Sequence, residues 1–287
     1  MRSLCQREAS SCGACCGLYN RVDHSRASVA ERLWARTRGL SGVPRTREAF
    51  REAAERLLKE EPPPLFPSVR VCPLLGWLDP AGTRVGCLGH PAATGGEDLR
   101  DCGVYDAATC EGFRCPSHQW LSEEEAAIVD AVCADVHLYG LTVTDVPFVR
   151  AALEGVAGLT GARVERRHLE SAPFRRALRE LFRLKELLEA GSEGLYGAFR
   201  PDRSGEPAPR HIDYPAMGRP GSPYDAILTC IGADPRSGND LDALEAEVRR
   251  RLEDCARSLG RSLSSGRGPG PASPSGPAGR GPAADGR

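Results

Sequence analysis

The chain has 287 residues, 12 of them cysteine, and 38 basic against 39 acidic side chains give a formal charge of −1. No charge excess points to nucleic acid or an anionic membrane, and 40% apolar residues suffice for a core in one large or two small domains. The composition, with 32 Gly and 23 Pro, excludes a collagen, a coiled-coil rod and a wholly disordered chain.

Residues 1–8 lack the apolar run of a secretory signal. No window approaches the ~18 apolar residues of a membrane span. The chain is therefore read as cytoplasmic, with no membrane partner. Thiols stay reduced there, and clustered cysteines point to metal before disulfides.

In chain order, a short helix is expected over Val29–Arg38, with Leu33 and Trp34 inward. A clearer one runs from an N-cap at Thr46 to Glu60, with Phe50, Ala53, Ala54, Leu57 and Leu58 as its apolar stripe. Pro62-Pro63-Pro64 stops it. Residues 64–116 are irregular, with strand-like pieces at Ser68–Val71 and Thr83–Leu88. Ser122 with Glu125 reads as a capping box opening a helix whose buried face is Ile128, Val129, Val132, Cys133 and Val136. His137 is placed at the end of that helix. Thr144-Asp145 opens another, with Pro147 in its first turn. A third spans Pro173–Ala190, with Gly191 at C′. Residues 192–238 are loop-rich, with Ala226–Ile231 as a short strand or helical turn. From Asn239 onward, Leu241, Leu244, Val248, Leu252, Cys255 and Leu259 step by three and four, a face read as packing on the chain's own helices. The tail from Ser264 has no Leu, Ile, Val or aromatic residue and cannot offset its chain entropy. The fold expected is mainly α, with few or no strands. An irregular Cys-rich metal-binding module over 1–120 packs on a helical module over 121–263, and 264–287 is a disordered tail.

The cysteines divide by context. Cys133, Cys230 and Cys255 fall on apolar runs and are read as core. Cys5, at the terminus, is left open between a free thiol and a ligand. Eight remain among Gly and Pro: Cys12, Cys15, Cys16, Cys72, Cys87, Cys102, Cys110 and Cys115. Cys12-Gly13-Ala14-Cys15 is a C-x-x-C knuckle. The adjacent Cys15 and Cys16 can both bind only by serving different metals or different edges of one cluster. Thiolates suit zinc or iron–sulfur centres. Four are wanted per zinc and four per cubane, so spacing leaves the two open. Arg21, Arg70, Arg84, Arg100 and Arg114 stand near enough in sequence to offset thiolate charge.

Cys12-Gly13-Ala14-Cys15-Cys16-Gly17 resembles the end of the CxxCxxCC signature of bacterial cysteine-cluster proteins, the YkgJ-type family described as zinc- or iron-chelating. Val71-Cys72-Pro73-Leu74, Gly86-Cys87-Leu88-Gly89-His90-Pro91, Cys102 and Cys110-x4-Cys115 are similar to its scattered downstream cysteines. The resemblance covers about residues 1–120. It implies metal binding and no particular reaction. Flagellin lysine methylases carry a similar cluster. Position 9, where the signature would begin, is Ala9.

Weaker features remain. His90 and His118 are read first as loop histidines, with ligation or a hydrogen bond to sulfur as the alternative. No phosphate loop, dinucleotide fingerprint or nucleophile elbow is present. Residues 163–185 hold eight basic side chains against three acidic ones. A solvated helix face is favoured there over a protein partner, and nucleic acid is disfavoured for want of stacking aromatics. The function expected is a cytosolic protein chelating zinc or an iron–sulfur centre in a structural or redox role. The alternatives are a cluster-dependent protein-modifying enzyme and an adaptor using the Arg-rich helix.

Overall fold

The computed structural model describes residues 3–187 and 198–265. The fold is mainly α. In the N-terminal half, α1 (Arg26–Leu40) and α2 (Arg47–Glu60) are followed by a two-stranded antiparallel pair, β1 (Leu75–Trp77) and β2 (Val85–Cys87). Short helices α3 (Pro91–Thr94), α4 (Ala107–Gly112) and α5 (Ser117–Trp120) complete that half. The C-terminal half holds α6 (Glu123–Val132), α7 (Val136–Val143), α8 (Val146–Thr160), α9 (Ala172–Phe182), a small hairpin of β3 (Phe199–Pro201) and β4 (Pro207–Pro209), α10 (Asp225–Cys230) and α11 (Gly238–Ser265).

Local chemistry explains most boundaries. Thr46, Asp135, Asp145 and Ser171 each accept an amide N–H at the start of a helix, and Ser122 and Glu125 form the reciprocal capping box. On α2, Phe50, Ala53, Ala54 and Leu57 are buried, while Leu58 lies outside the stripe at 38% exposure. The buried face of α11, namely Leu241, Val248, Leu252, Cys255 and Leu259, packs on α8 and α9 of the same chain.

Three expectations need correcting. Ser68–Val71 is a turn, and the partner of β2 is Leu75–Trp77, which is buried throughout and so lacks the alternation that marks a strand. The helix after Ser122 ends at Val132 and restarts at Asp135, whose carboxylate accepts the Leu138 N–H at 2.9 Å. His137 therefore opens α7 instead of closing its predecessor. Of the two alternatives for Ala226–Ile231, strand or helical turn, the structure has the helical one, α10 ending at Cys230. The third helix ends at Phe182 and tightens to a 3₁₀ turn over Arg183–Glu186. Its expected extension to Ala190, the Gly191 cap and the tail beyond Ser265 lie outside the described residues.

The two halves are stitched together. The Tyr139 hydroxyl donates to the Leu4 carbonyl at 2.9 Å, and the Ser10 hydroxyl to that of Cys133 at 2.7 Å. The Tyr19 hydroxyl lies 3.1 Å from the carbonyl oxygens of both Val136 and His137. Every residue of α7 is buried. Its Val136 and Leu141 join the N-terminal core around Leu18, Leu33 and Trp77, and its Leu138, Tyr139 and Val143 join the C-terminal one.

One buried ion cluster fixes the frame beneath the cysteine loops. Arg21, just past the knuckle, donates to Glu61 at 2.7 Å, and Arg36 of α1 makes two bonds to the same carboxylate. Both arginines are 2% exposed and Glu61 is 10% exposed. Burial alone would raise the Glu61 carboxyl, but the hydrogen bonds and charges of Arg36 and then Arg21 outweigh it and hold it below its ordinary 4.5. Because the folded value is depressed, the stability this group lends is present above pH 4.5 and lost as pH falls through the lower folded value. Glu61→Gln leaves two buried guanidinium groups without counter-charge and is expected to cost about 3–5 kcal/mol. Urea unfolding at neutral pH and below pH 4.5 checks both parts, since the variant should lose stability at neutral pH and respond less to acid.

Candidate metal centre

The site begins with a tight hairpin. Gln6 and Ser11 pair as an isolated antiparallel bridge, and the Cys12 N–H donates to the Cys5 carbonyl at 3.0 Å. Cys5 is thereby held opposite Cys12. The hairpin docks on the strand pair: the Gln6 amide donates to the Val85 carbonyl, and the Val85 N–H to the Ser11 hydroxyl, both at 2.8 Å.

The knuckle is a single 3₁₀ turn over Ala14–Cys16. Gly17 follows with φ +79°, and a Cβ there would lie 2.5 Å from the Arg70 carbonyl oxygen and 2.8 Å from the Val71 Cα. Only glycine meets both demands. That approach lets the Cys72 N–H donate to the Cys16 carbonyl at 2.9 Å. Cys87 ends β2 opposite Leu75. Cys110 lies in α4, and Cys115 in the turn between α4 and α5.

Together these elements line one cavity of about 500 Å³. Its walls carry Cys5, Cys12, Cys15, Cys16, Cys72, Cys87, Cys110 and Cys115, with His90, Arg100, Tyr105 and Phe113, and the end of α7 contributes Val143. Seven of the expected ligand residues therefore meet there. Cys102 does not line the cavity; it is buried under α2, where its thiol approaches the Arg47 carbonyl at 3.5 Å. Cys5, left open between a free thiol and a ligand, is a free thiol in the same wall. Tyr105 was not foreseen. Cys133, Cys230 and Cys255 are core, as their context predicted.

All the described cysteines are free thiols. Among the described residues, no three His, Cys, Asp or Glu side chains gather in a group able to hold a metal ion. The eight thiols border open space instead of meeting at a point. Burial first, and the charge of neighbouring thiols second, raises the Cys16 thiol well above its ordinary value and pushes Cys87 up to about 12. Cys12 is also pushed up to about 12, by burial and then by Cys5 and Cys115, against a backbone hydrogen bond from Ala14. Cys15 is raised by its hydrogen bond to Cys115, and that same bond lowers Cys115, so Cys15 keeps the proton the pair shares. Cys115, lowered to about 5 by its interaction with Cys15, is the exception; the raised thiols stay protonated until a cation enters and inverts the balance.

Few positive groups compensate. Arg100 reaches the wall, gripped by both oxygens of Asp98 at 2.9 and 2.6 Å, and Arg114 lowers Cys5. Arg21 is committed to Glu61, and Arg84 to the hairpin through the Arg7 and Glu8 carbonyls. The His118 Nε2 accepts the Leu4 N–H at 3.1 Å, and the His90 Nδ1 accepts the Ala92 N–H at the same distance. Those nitrogens are occupied in holding loops.

The Arg-rich segment is largely spent within the chain. Arg179 donates to the Val132 carbonyl, Arg175 to that of Leu169, and Arg183 pairs with Glu180 and Glu186. Lys185 is buried against Asp145 at 2.6 Å.

No family model, no curated protein and no solved structure matches this chain. The chemistry of the site rests on its own residues.

Gly17→Ala should open the Cys16–Cys72 contact. The left-handed backbone alone costs about 1–2 kcal/mol in a residue with a Cβ, and the collision with residues 70–71 adds to it. The expected outcome is a lower urea midpoint together with reduced metal content. An unchanged midpoint removes Gly17 from this role.

Proposed function

We propose that the chain is a cytoplasmic metal-binding protein whose cysteine-lined cavity holds an iron–sulfur centre in a redox role. The observation that carries this reading is eight thiols around a single cavity of about 500 Å³. Zinc takes sulfur at about 2.3 Å, so four thiolates on one ion crowd within about 4 Å of each other and leave no void. A cubane binds each thiolate through a different iron and fills the space between them with its own sulfides. An open cavity walled by thiols favours the second arrangement. The donor set fits: soft sulfur ligands, few competing carboxylates and a glycine, Gly103, whose backbone packs close against the Cys72 sulfur. A cluster would also supply the positive charge that the raised thiols require.

Reduced thiols are a condition of this chemistry and belong in the cytoplasm. Among the described residues no helix is long and apolar enough to cross a membrane. The internal pairing of the Arg-rich segment leaves little to support the adaptor reading, and no feature of the helical half favours the protein-modifying enzyme.

Anaerobic purification with iron, zinc and sulfide analysis and a visible spectrum tests the proposal. Brown protein holding iron and sulfide in similar amounts, with absorption that bleaches on reduction, is expected. Colourless, zinc-loaded protein replaces the cluster with structural zinc. Protein without either metal overturns the metal reading.

A further inference from the structure

We propose that the cavity holds two separate four-thiolate centres, one on Cys5, Cys12, Cys15 and Cys115 and the other on Cys16, Cys72, Cys87 and Cys110, with Cys102 in neither. The inference rests on the metal reading above and assigns that site to this chain's residues.

Backbone geometry builds the two sets independently. In the first, the hairpin holds Cys5 across from Cys12 through the 3.0 Å bond between them. The Leu4 N–H donates to the His118 Nε2, which ties the residue before Cys5 to the turn just past Cys115. Cys15 and Cys115 lie close enough that each shifts the other's thiol in opposite directions. In the second, the Cys72 N–H is bonded to the Cys16 carbonyl. The strand pair brings Cys87 alongside the chain that follows Cys72, through Leu75↔Cys87 and the 2.7 Å bond from the Leu88 N–H to the Leu74 carbonyl. Cys110 closes this set from α4, on the side where Arg100 stands.

Electrostatic neighbourhood divides the thiols in the same way. Cys15 feels Cys115, Cys12 and Cys5. Cys16 feels Cys72, Cys87 and Cys110 before it feels Cys5. Cys110 feels Cys72, whereas the Cys102 thiol is shifted by burial first and then by Arg51, Arg47 and Glu48. The partition runs through one peptide bond. In a 3₁₀ turn successive side chains diverge by about 120°, so Cys15 and Cys16 send their sulfurs to different sides. Sulfurs that diverge in this way suit two centres, one on each side of the turn.

Cys5 thus supplies the thiol that the cysteine-cluster pattern lacks at Ala9. It comes from across a hairpin instead of from the same turn.

Metal and sulfide content per full-length chain, purified anaerobically, tests the assignment in the wild type and in Cys102→Ser, Cys5→Ser, Cys87→Ser and Cys5→Ser/Cys87→Ser. Two centres predict about eight iron per wild-type chain, or two ions if the metal is zinc. Cys102→Ser should keep the wild-type content. Cys5→Ser and Cys87→Ser should each lose about half, and the double variant nearly all. Full loading in Cys5→Ser, or half loading in Cys102→Ser, overturns the assignment. So does total loss in either single variant that keeps wild-type helical circular dichroism. The wild type decides the number of centres even if variants misfold: one centre's worth of metal per chain overturns this inference and leaves the metal reading standing. Wild-type protein with no metal overturns both. For iron, the reduced wild type should show paramagnetic resonance broadened by coupling between centres, and a single uncoupled signal also counts against the proposal.

Discussion

Eight thiols in one cavity create a charge problem, and the architecture around them is arranged by it. A buried thiol resists ionisation, and each neighbour that ionises makes the next harder. The chain does not solve this with its own cations. It has 38 basic residues, yet in the cavity wall it places one guanidinium, that of Arg100. The nearby arginines are held by Glu61 or by backbone carbonyls. A protein that only needed quiet cysteines would scatter the sulfurs through its core, as it does with Cys133, Cys230 and Cys255. Concentrating them under weak compensation is the arrangement that a soft metal stabilises.

The same constraint explains why the N-terminal half leans on the C-terminal one. Its loops bury little apolar surface, and its two small cores, around Leu33 and Phe50, are local. Rigidity comes from α7, which is buried on every side and serves both cores. Val143 at its end forms part of the cavity wall, and Tyr139 holds the Leu4 carbonyl next to Cys5. The helical half is therefore a wall of the site as well as a support.

What the sequence disclosed follows from the range of the forces involved. Caps and apolar stripes act within a few residues, so α2, α6, α8 and α11 were legible from Thr46, Ser122, Asp145 and the Leu241-to-Leu259 face. The break between α6 and α7 was hidden because the apolar face continues through Cys133 and Val136 while the backbone does not. Most of the cavity's cysteines could be found from their Gly- and Pro-rich surroundings. Cys102 shares those surroundings but faces α2, and nothing local records that. Cys5 enters the cavity only through a hairpin whose bonds to Val85 span more than seventy residues. No Asn-Gly or Asp-Gly turn announces it.

The vicinal pair Cys15–Cys16 then becomes intelligible. Adjacent cysteines are awkward for one tetrahedral ion, because the shared peptide bond sets the directions of both side chains. In the 3₁₀ turn that awkwardness becomes a means of division. In the proposed division each sulfur has its own partners, and the backbone between them belongs to both sets. The Cα atoms are 3.8 Å apart across that bond. Two bound centres would lie close enough for the charge of one to shift the other. A movement of the Gly13–Gly17 turn would reach both at once. Gly17 has no room for a side chain beside residues 70–71, and that packing holds the turn in place.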